Sequence, residues 1–143
     1  MMIPDVRSII MDPDDNILVV CRSANRNNYP NYWEFPWWWP EAQTDNNPID
    51  TLLREVREET WLCLSSKTTQ YFNRVIVPWN KPSDFLMSTL FISRVENALS
   101  DRISLCQEET SWFKCISIQA LLISEKITPI TKAASMYLLR DFS

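Results

Sequence analysis

The chain has 143 residues, a net charge of −4, and 45% hydrophobic against 22% charged residues, proportions typical of a soluble globular chain. That length fits one domain spanning residues 1–143, which would bury about two thirds of its unfolded surface. The acidic balance excludes a broad nucleic-acid-binding surface, which needs a basic patch, and no apolar run approaches the roughly 18 residues of a membrane span.

The opening MMIPDVRSII lacks the basic and apolar regions of a signal peptide, so the expected location is cytoplasmic. Cys21, Cys63, Cys106 and Cys115 show no C-x-x-C spacing, and there is no histidine to complete a zinc set; reduced thiols are expected. Without histidine, any general base must be a carboxylate or a lysine. The chain also contains no glycine, where average usage would give roughly ten. Small phosphorylated substrates remain compatible with the acidic charge, because a bound divalent cation reverses the local sign.

Taken in chain order, VRSIIMD (6–12) and NILVVCR (16–22) read as strands joined by the turn DPDD. The second is apolar on both faces, as in a strand covered by layers on each side. SANRNNYPN (23–31) is a polar loop, and YWEF (32–35) a short strand ending at Pro36. A helix follows, capped by Asn47, with Pro48 at its first position and Asp50 where a capping-box acid belongs, running to about Thr60. Strands TQYFNRVIVP (69–78) and FLMSTLFISRV (85–95) flank the turn WNKPSD. SWFKCI (111–116) is a further strand that leads through Ser117 into a short helix, IQALLIS. Thr128–Pro129 opens a closing amphipathic helix, ITKAASMYLLRDF. Strands alternating with helices predict an α/β class, with a mixed sheet between helices.

On a wheel of about 100° per residue, Glu59 lies roughly 40° to one side of Glu55 and Glu58 roughly 60° to the other. Leu52, Val56, Ile49, Thr60 and Leu53 form a separate apolar stripe. Such an acidic face suits a solvated surface salt-bridged by Arg54 and Arg57, or a hard-cation site. Mg²⁺ and Mn²⁺ bind one or two carboxylates together with water and phosphate oxygens.

The run Arg54–Glu55–Val56–Arg57–Glu58–Glu59–Thr60–Trp61–Leu62 resembles the Nudix hydrolase signature R-E-U-x-E-E-x-G-U, with Trp61 in place of glycine. YWEFP, followed by four residues and Glu41, is similar to that family's W-E-F-P-G-G-x-x-E loop. The signature's earlier glutamate has no match in TDNN; the loop is about two residues longer here, or that acid is absent. Glu108–Glu109–Thr110 before WFKCIS is similar to the acidic loop of many members.

The resemblance implies an α/β/α sandwich and Mg²⁺-dependent hydrolysis of a nucleoside diphosphate linked to another group, such as a nucleoside triphosphate, with water attacking a phosphorus. It implies metal ligation by Glu55, Glu58 and Glu59, and a glutamate-orienting role for Arg54. The water would be activated by Glu55 or by a carboxylate of the later loop, Glu108 first and Glu109 second. Trp33 and Glu41 are implied at the substrate; Tyr29, Tyr32 and Trp33 are candidates for either a base pocket or the core. The implied partner is a small nucleotide, with neither nucleic acid nor membrane, and a homodimer is compatible. A weak or inactive nucleotide-binding module is the alternative function.

Trp37, Trp38, Trp39 and Trp61 stand where that family has glycine, which tolerates positive φ and close backbone approach. Tryptophan in the left-handed region costs about 1–2 kcal/mol. Three readings stand side by side. The indoles form a base-stacking platform, or they mark a remodelled loop, or the written residues are glycines encoded by UGA and translated as tryptophan. TGG codons at 37–39 would rule out the third.

Overall fold

The computed structural model describes residues 1–40, 47–79, 81–99 and 113–142. Among the described residues, seven strands form one mixed sheet: β1 (Met2–Met11), β2 (Asn16–Cys21), β3 (Trp33–Glu34), β4 (Trp37–Trp38), β5 (Thr69–Pro78), β6 (Phe85–Arg94) and β7 (Phe113–Ser117). The described residues also include three α-helices: α1 (Pro48–Thr60), α2 (Ile118–Ile123) and α3 (Pro129–Phe142). The main strand order is β3-β2-β1-β6-β5, with β4 pairing to β1 and β7 to β2. The long β1–β6 ladder is parallel and the other pairings are antiparallel, so the sheet is mixed, as the sequence predicts.

Period-two alternation places two apolar faces on β1 and β2. Ile9, Met11, Ile17 and Val19 join Ile118, Leu121, Ile130, Ala134 and Leu138 in the core beneath α2 and α3. Val6, Ile10, Leu18 and Val20 join Leu52 and Val56 of α1 on the other side. The apolar stripe read from the wheel is the buried face of α1, giving a sheet packed between helices. Both sides of the central strands are covered, which explains their continuous apolar sequence.

Local signals set the helix ends. Asn47 Oδ1 accepts from the Ile49 amide at 3.0 Å with Pro48 just inside, and Ser117 Oγ accepts from the Ala120 amide at 3.1 Å; each satisfies an otherwise orphan donor. The sequence reading misses β4, two residues of tryptophan that pair with Val6 and Arg7, and the short 3₁₀ turn Ser66–Thr68. Among the described cysteines, Cys21, Cys63 and Cys115 are free thiols.

Candidate active site

The end of β2, strands β3 and β4, and one face of α1 surround a cleft of about 470 Å³. β2 and the loop after it bring Arg22, Ser23 and Arg26; β3 and β4 bring Glu34 and Trp37; α1 brings Glu55 and Glu59. The two α1 carboxylates are four residues apart and therefore share a face. Leu52 and Val56, buried on the sheet side, fix the rotation of α1 that points this face at the cleft.

A buried charge cluster forms one wall. Arg7 is 1% exposed. Its Nη2 lies 2.9 Å from Asp5 Oδ2 and its Nη1 2.9 Å from Glu34 Oε1. Arg22 Nη1 lies 3.1 Å from Glu34 Oε2, and the Trp37 indole donates to the same oxygen at 3.0 Å. Ser88 Oγ donates to Asp5. Two guanidinium groups thus balance two carboxylates, as buried charge requires. The sequence reading overlooks this cluster, although Arg7 carries a signal: a charged residue inside an apolar strand run needs a buried partner.

Glu55 and Glu59 on α1 are only partly buried. Arg54 Nη2 lies 3.5 Å from Glu55 Oε1, but its side chain is 51% exposed, so the pair is weak. Partial burial, then the charges of Glu55, Glu34 and Glu58, push Glu59 from 4.5 up to about 7. Crowded carboxylates of this kind are the situation that a divalent cation relieves. Among the described residues, no three His, Cys, Asp or Glu side chains gather closely enough to enclose an ion by themselves. The donor set fits a cation that takes one or two protein carboxylates and completes its shell with water and phosphate, the habit of Mg²⁺.

The expected site residues fall in different places. Glu55 and Glu59 line the cleft. Glu58 is exposed and not among its lining residues, yet its charge acts on Glu59. Arg54 is exposed beside Glu55. Trp33 packs against the α2–α3 core beneath Lys114 Nζ, 4.1 Å from its ring centroid, and is not among the lining residues. Glu41, Glu108 and Glu109 lie outside the described residues.

The four tryptophans at glycine positions behave differently. Trp61 has φ 63° and ψ 9°, a left-handed cap whose amide donates to the Arg57 carbonyl, the conformation that glycine serves best. Trp37–Trp39 have no positive φ, and Trp37 and Trp38 pair with β1 as a short strand. Trp38 is buried against α1. The Trp37 ring takes the guanidinium groups of Arg7 at 5.6 Å and Arg26 at 5.8 Å, and meets Trp39 edge-on at 4.9 Å.

Comparison with known proteins gives a consistent result. The NUDIX domain family matches residues 1–135. A human relative, nucleoside diphosphate-linked moiety X motif 6, is 31% identical over 126 residues, which is 88% of this chain and 37% of that protein. The chain therefore spans little more than a third of that relative's length. The NUDIX domain of Shewanella oneidensis NrtR complexed with ADP ribose is similar in structure, with a TM-score of 0.72 at 12% identity, covering 100% of this chain and 90% of that one. A mutT/nudix family protein from Listeria innocua gives 0.74 at 14% identity, covering 96% and 92%. These structural likenesses show the fold, and the domain match over nearly the whole sequence shows that the chain belongs to the NUDIX domain family.

Proposed function

We propose that this chain is a Mg²⁺-dependent pyrophosphohydrolase acting on a nucleoside diphosphate linked to another moiety, such as a nucleoside triphosphate. One observation carries the reading: Glu55 and Glu59 share a cleft with Arg22, Arg26 and Trp37, so anion- and cation-binding groups face one space. Glu55 and Glu59 would hold the cation, with Glu58 at the margin; Mn²⁺ fits the same oxygen donors. When bound, the cation neutralises charge on the phosphate oxygens.

The chain's own groups do the rest. Arg26, at the cleft wall, attracts and orients the phosphates. A carboxylate takes the proton of the attacking water as the new P–O bond forms and the bridging P–O bond breaks, leaving a nucleoside monophosphate and a phosphate-containing product. Glu55 is within the cleft for that role; Glu108 is the loop candidate. The buried Asp5–Arg7–Glu34–Arg22 cluster keeps the wall rigid, so the donors need no rearrangement during reaction.

The second reading is a nucleotide-binding module without turnover, and the observation favouring it is that indoles occupy the 37–39 wall of the cleft. Turnover separates the two. Purified protein with Mg²⁺ is expected to release nucleoside monophosphate from a panel of nucleoside triphosphates and diphosphate-linked sugars, and Glu55→Gln with Glu59→Gln is expected to abolish that release. Nucleotide binding without hydrolysis in any divalent ion supports the module instead. Equal turnover in the double variant contradicts the assigned roles.

A further inference from the structure

A hollow of about 450 Å³ lies apart from the cleft described above and shares none of its lining residues. The chain leaving α1 forms one wall, from Leu62 to Thr68, and the end of β6 with the chain after it forms the other, from Arg94 to Leu99. Arg94 pairs with Met11 at the end of β1, whereas Trp37 of the first cleft pairs with Arg7. Both walls are tied to the fold. Thr69 Oγ1 donates to the Ser65 carbonyl at 2.8 Å, and Ser93 Oγ lies 2.7 Å from the same hydroxyl. On the other side, the Val95 amide donates to the Met11 carbonyl at 2.9 Å, and the Leu99 amide to Asp12 Oδ2 at 2.9 Å. The hollow is therefore preformed, and its volume falls in the range of about 300–1,000 Å³ that small-ligand sites occupy.

Its lining has two characters. Leu62 and Leu99 are buried in the core cluster that holds α1, with Leu64 and Val95 packed against it, so the floor is apolar. At the rim, Lys67 and Arg94 accompany one carboxylate, Glu96, and all three are exposed. In a chain of net charge −4, this rim is locally positive. Lys67 takes part in none of the ion pairs among the described residues. Ser65 Oγ accepts from the Lys67 amide at 3.2 Å, which leaves its own O–H to donate, and Asn97 adds an amide donor. A cation and neutral donors above an apolar floor complement an anionic head on an apolar body. We propose that this hollow is a second binding site, for a small organic anion whose carboxylate or phosphate meets Lys67 while its hydrocarbon part rests on Leu62 and Leu99. The site stands whether or not the first cleft turns over a nucleotide.

Cys63 is an exposed free thiol on the same lining, so its alkylation reports occupancy, while Cys21 on the first cleft serves as the control. The full chain is treated with iodoacetamide and each cysteine is followed by peptide mass spectrometry. Three probes share one hydrocarbon chain: pentanoate, butyl phosphate and the neutral pentanamide. At twice its dissociation constant, a bound anion is expected to slow Cys63 alkylation by about threefold. Pentanamide has no such effect. Slowing by pentanoate alone assigns the site to carboxylic acids, and slowing by butyl phosphate alone assigns it to phosphate monoesters. Lys67→Met abolishes the slowing and Lys67→Arg retains it; Lys67 is exposed, so both variants fold. Unchanged Cys63 alkylation with either anion, equal slowing by pentanamide, or slowing that survives Lys67→Met overturns the inference. So does protection of Cys21 alone, which places the anion in the first cleft.

Discussion

Two groups of carboxylates lie near one another in the fold, Asp5 with Glu34 and Glu55 with Glu59, and their surroundings differ. Asp5 and Glu34 are almost fully buried, and each is paired with arginine from β1 or the end of β2. Glu55 and Glu59 are half-buried on α1, and repulsion from Glu34 and Glu58 adds to burial in pushing Glu59 up to about 7. One group carries its counter-charges in the sequence, so it can be sealed into the fold. The other gathers like charges on a partly exposed helix face. The paired carboxylates belong to the fold, and cation binding is the role we propose for the crowded pair on α1.

The largest expected effect breaks the balanced group. Arg7→Met removes a buried cation and leaves Asp5 and part of Glu34 unpaired, a loss of about 3–5 kcal/mol in folding stability. Urea unfolding measures it; a loss under 1 kcal/mol would show that the cluster is not sealed.

The next prediction sharpens the other group. A proton and a cation compete for Glu59, so Mg²⁺ affinity falls by roughly tenfold per pH unit as pH drops below about 7. Titrations at several pH values check this, and a flat profile from pH 8 to 5 would separate Glu59 from the cation.

Folding stability in the absence of divalent ions has the related dependence. Because the folded carboxyl sits above its ordinary 4.5, the folded state keeps a proton that the unfolded chain has released between those values. Stability from this group is therefore full below about 4.5 and is lost as pH rises through about 7. Glu59→Gln flattens that slope and raises stability at pH 8, as read by denaturant midpoints at pH 5 and pH 8. The smallest effect lies at the end of α1: Trp61→Gly relieves the left-handed strain and raises stability by about 1 kcal/mol, again read by urea unfolding.

Most of the fold is legible in the sequence because its signals are local. Asn47–Pro48 starts α1, Ser117 starts α2, and the strand 69–78 is bounded by its own composition as drawn. The face of α1 carrying Glu55 and Glu59 follows from helical periodicity, and the left-handed residue at its end from the expectation of glycine there. The rest depends on contacts distant in sequence. Arg7 meets Glu34 across 27 positions, and β4 exists because β1 offers it a partner; neither pattern has a local signature. Glu58 shows the limit of the wheel, since a shared helix face does not decide which of its residues the neighbouring strands enclose. Trp33 shows the limit of a motif, since the tryptophan that matches the family packs against the core.

The central claim is that Glu55 and Glu59 together bind a divalent cation in the cleft beside Arg26. Mg²⁺ titration by calorimetry at pH 8, comparing wild type with the Glu55→Gln, Glu59→Gln double variant in the presence of a nucleotide, tests it most directly. The account predicts saturable Mg²⁺ binding by wild type that weakens at least about tenfold, or about 1.4 kcal/mol, in the variant. Equal affinity in the two proteins would contradict it.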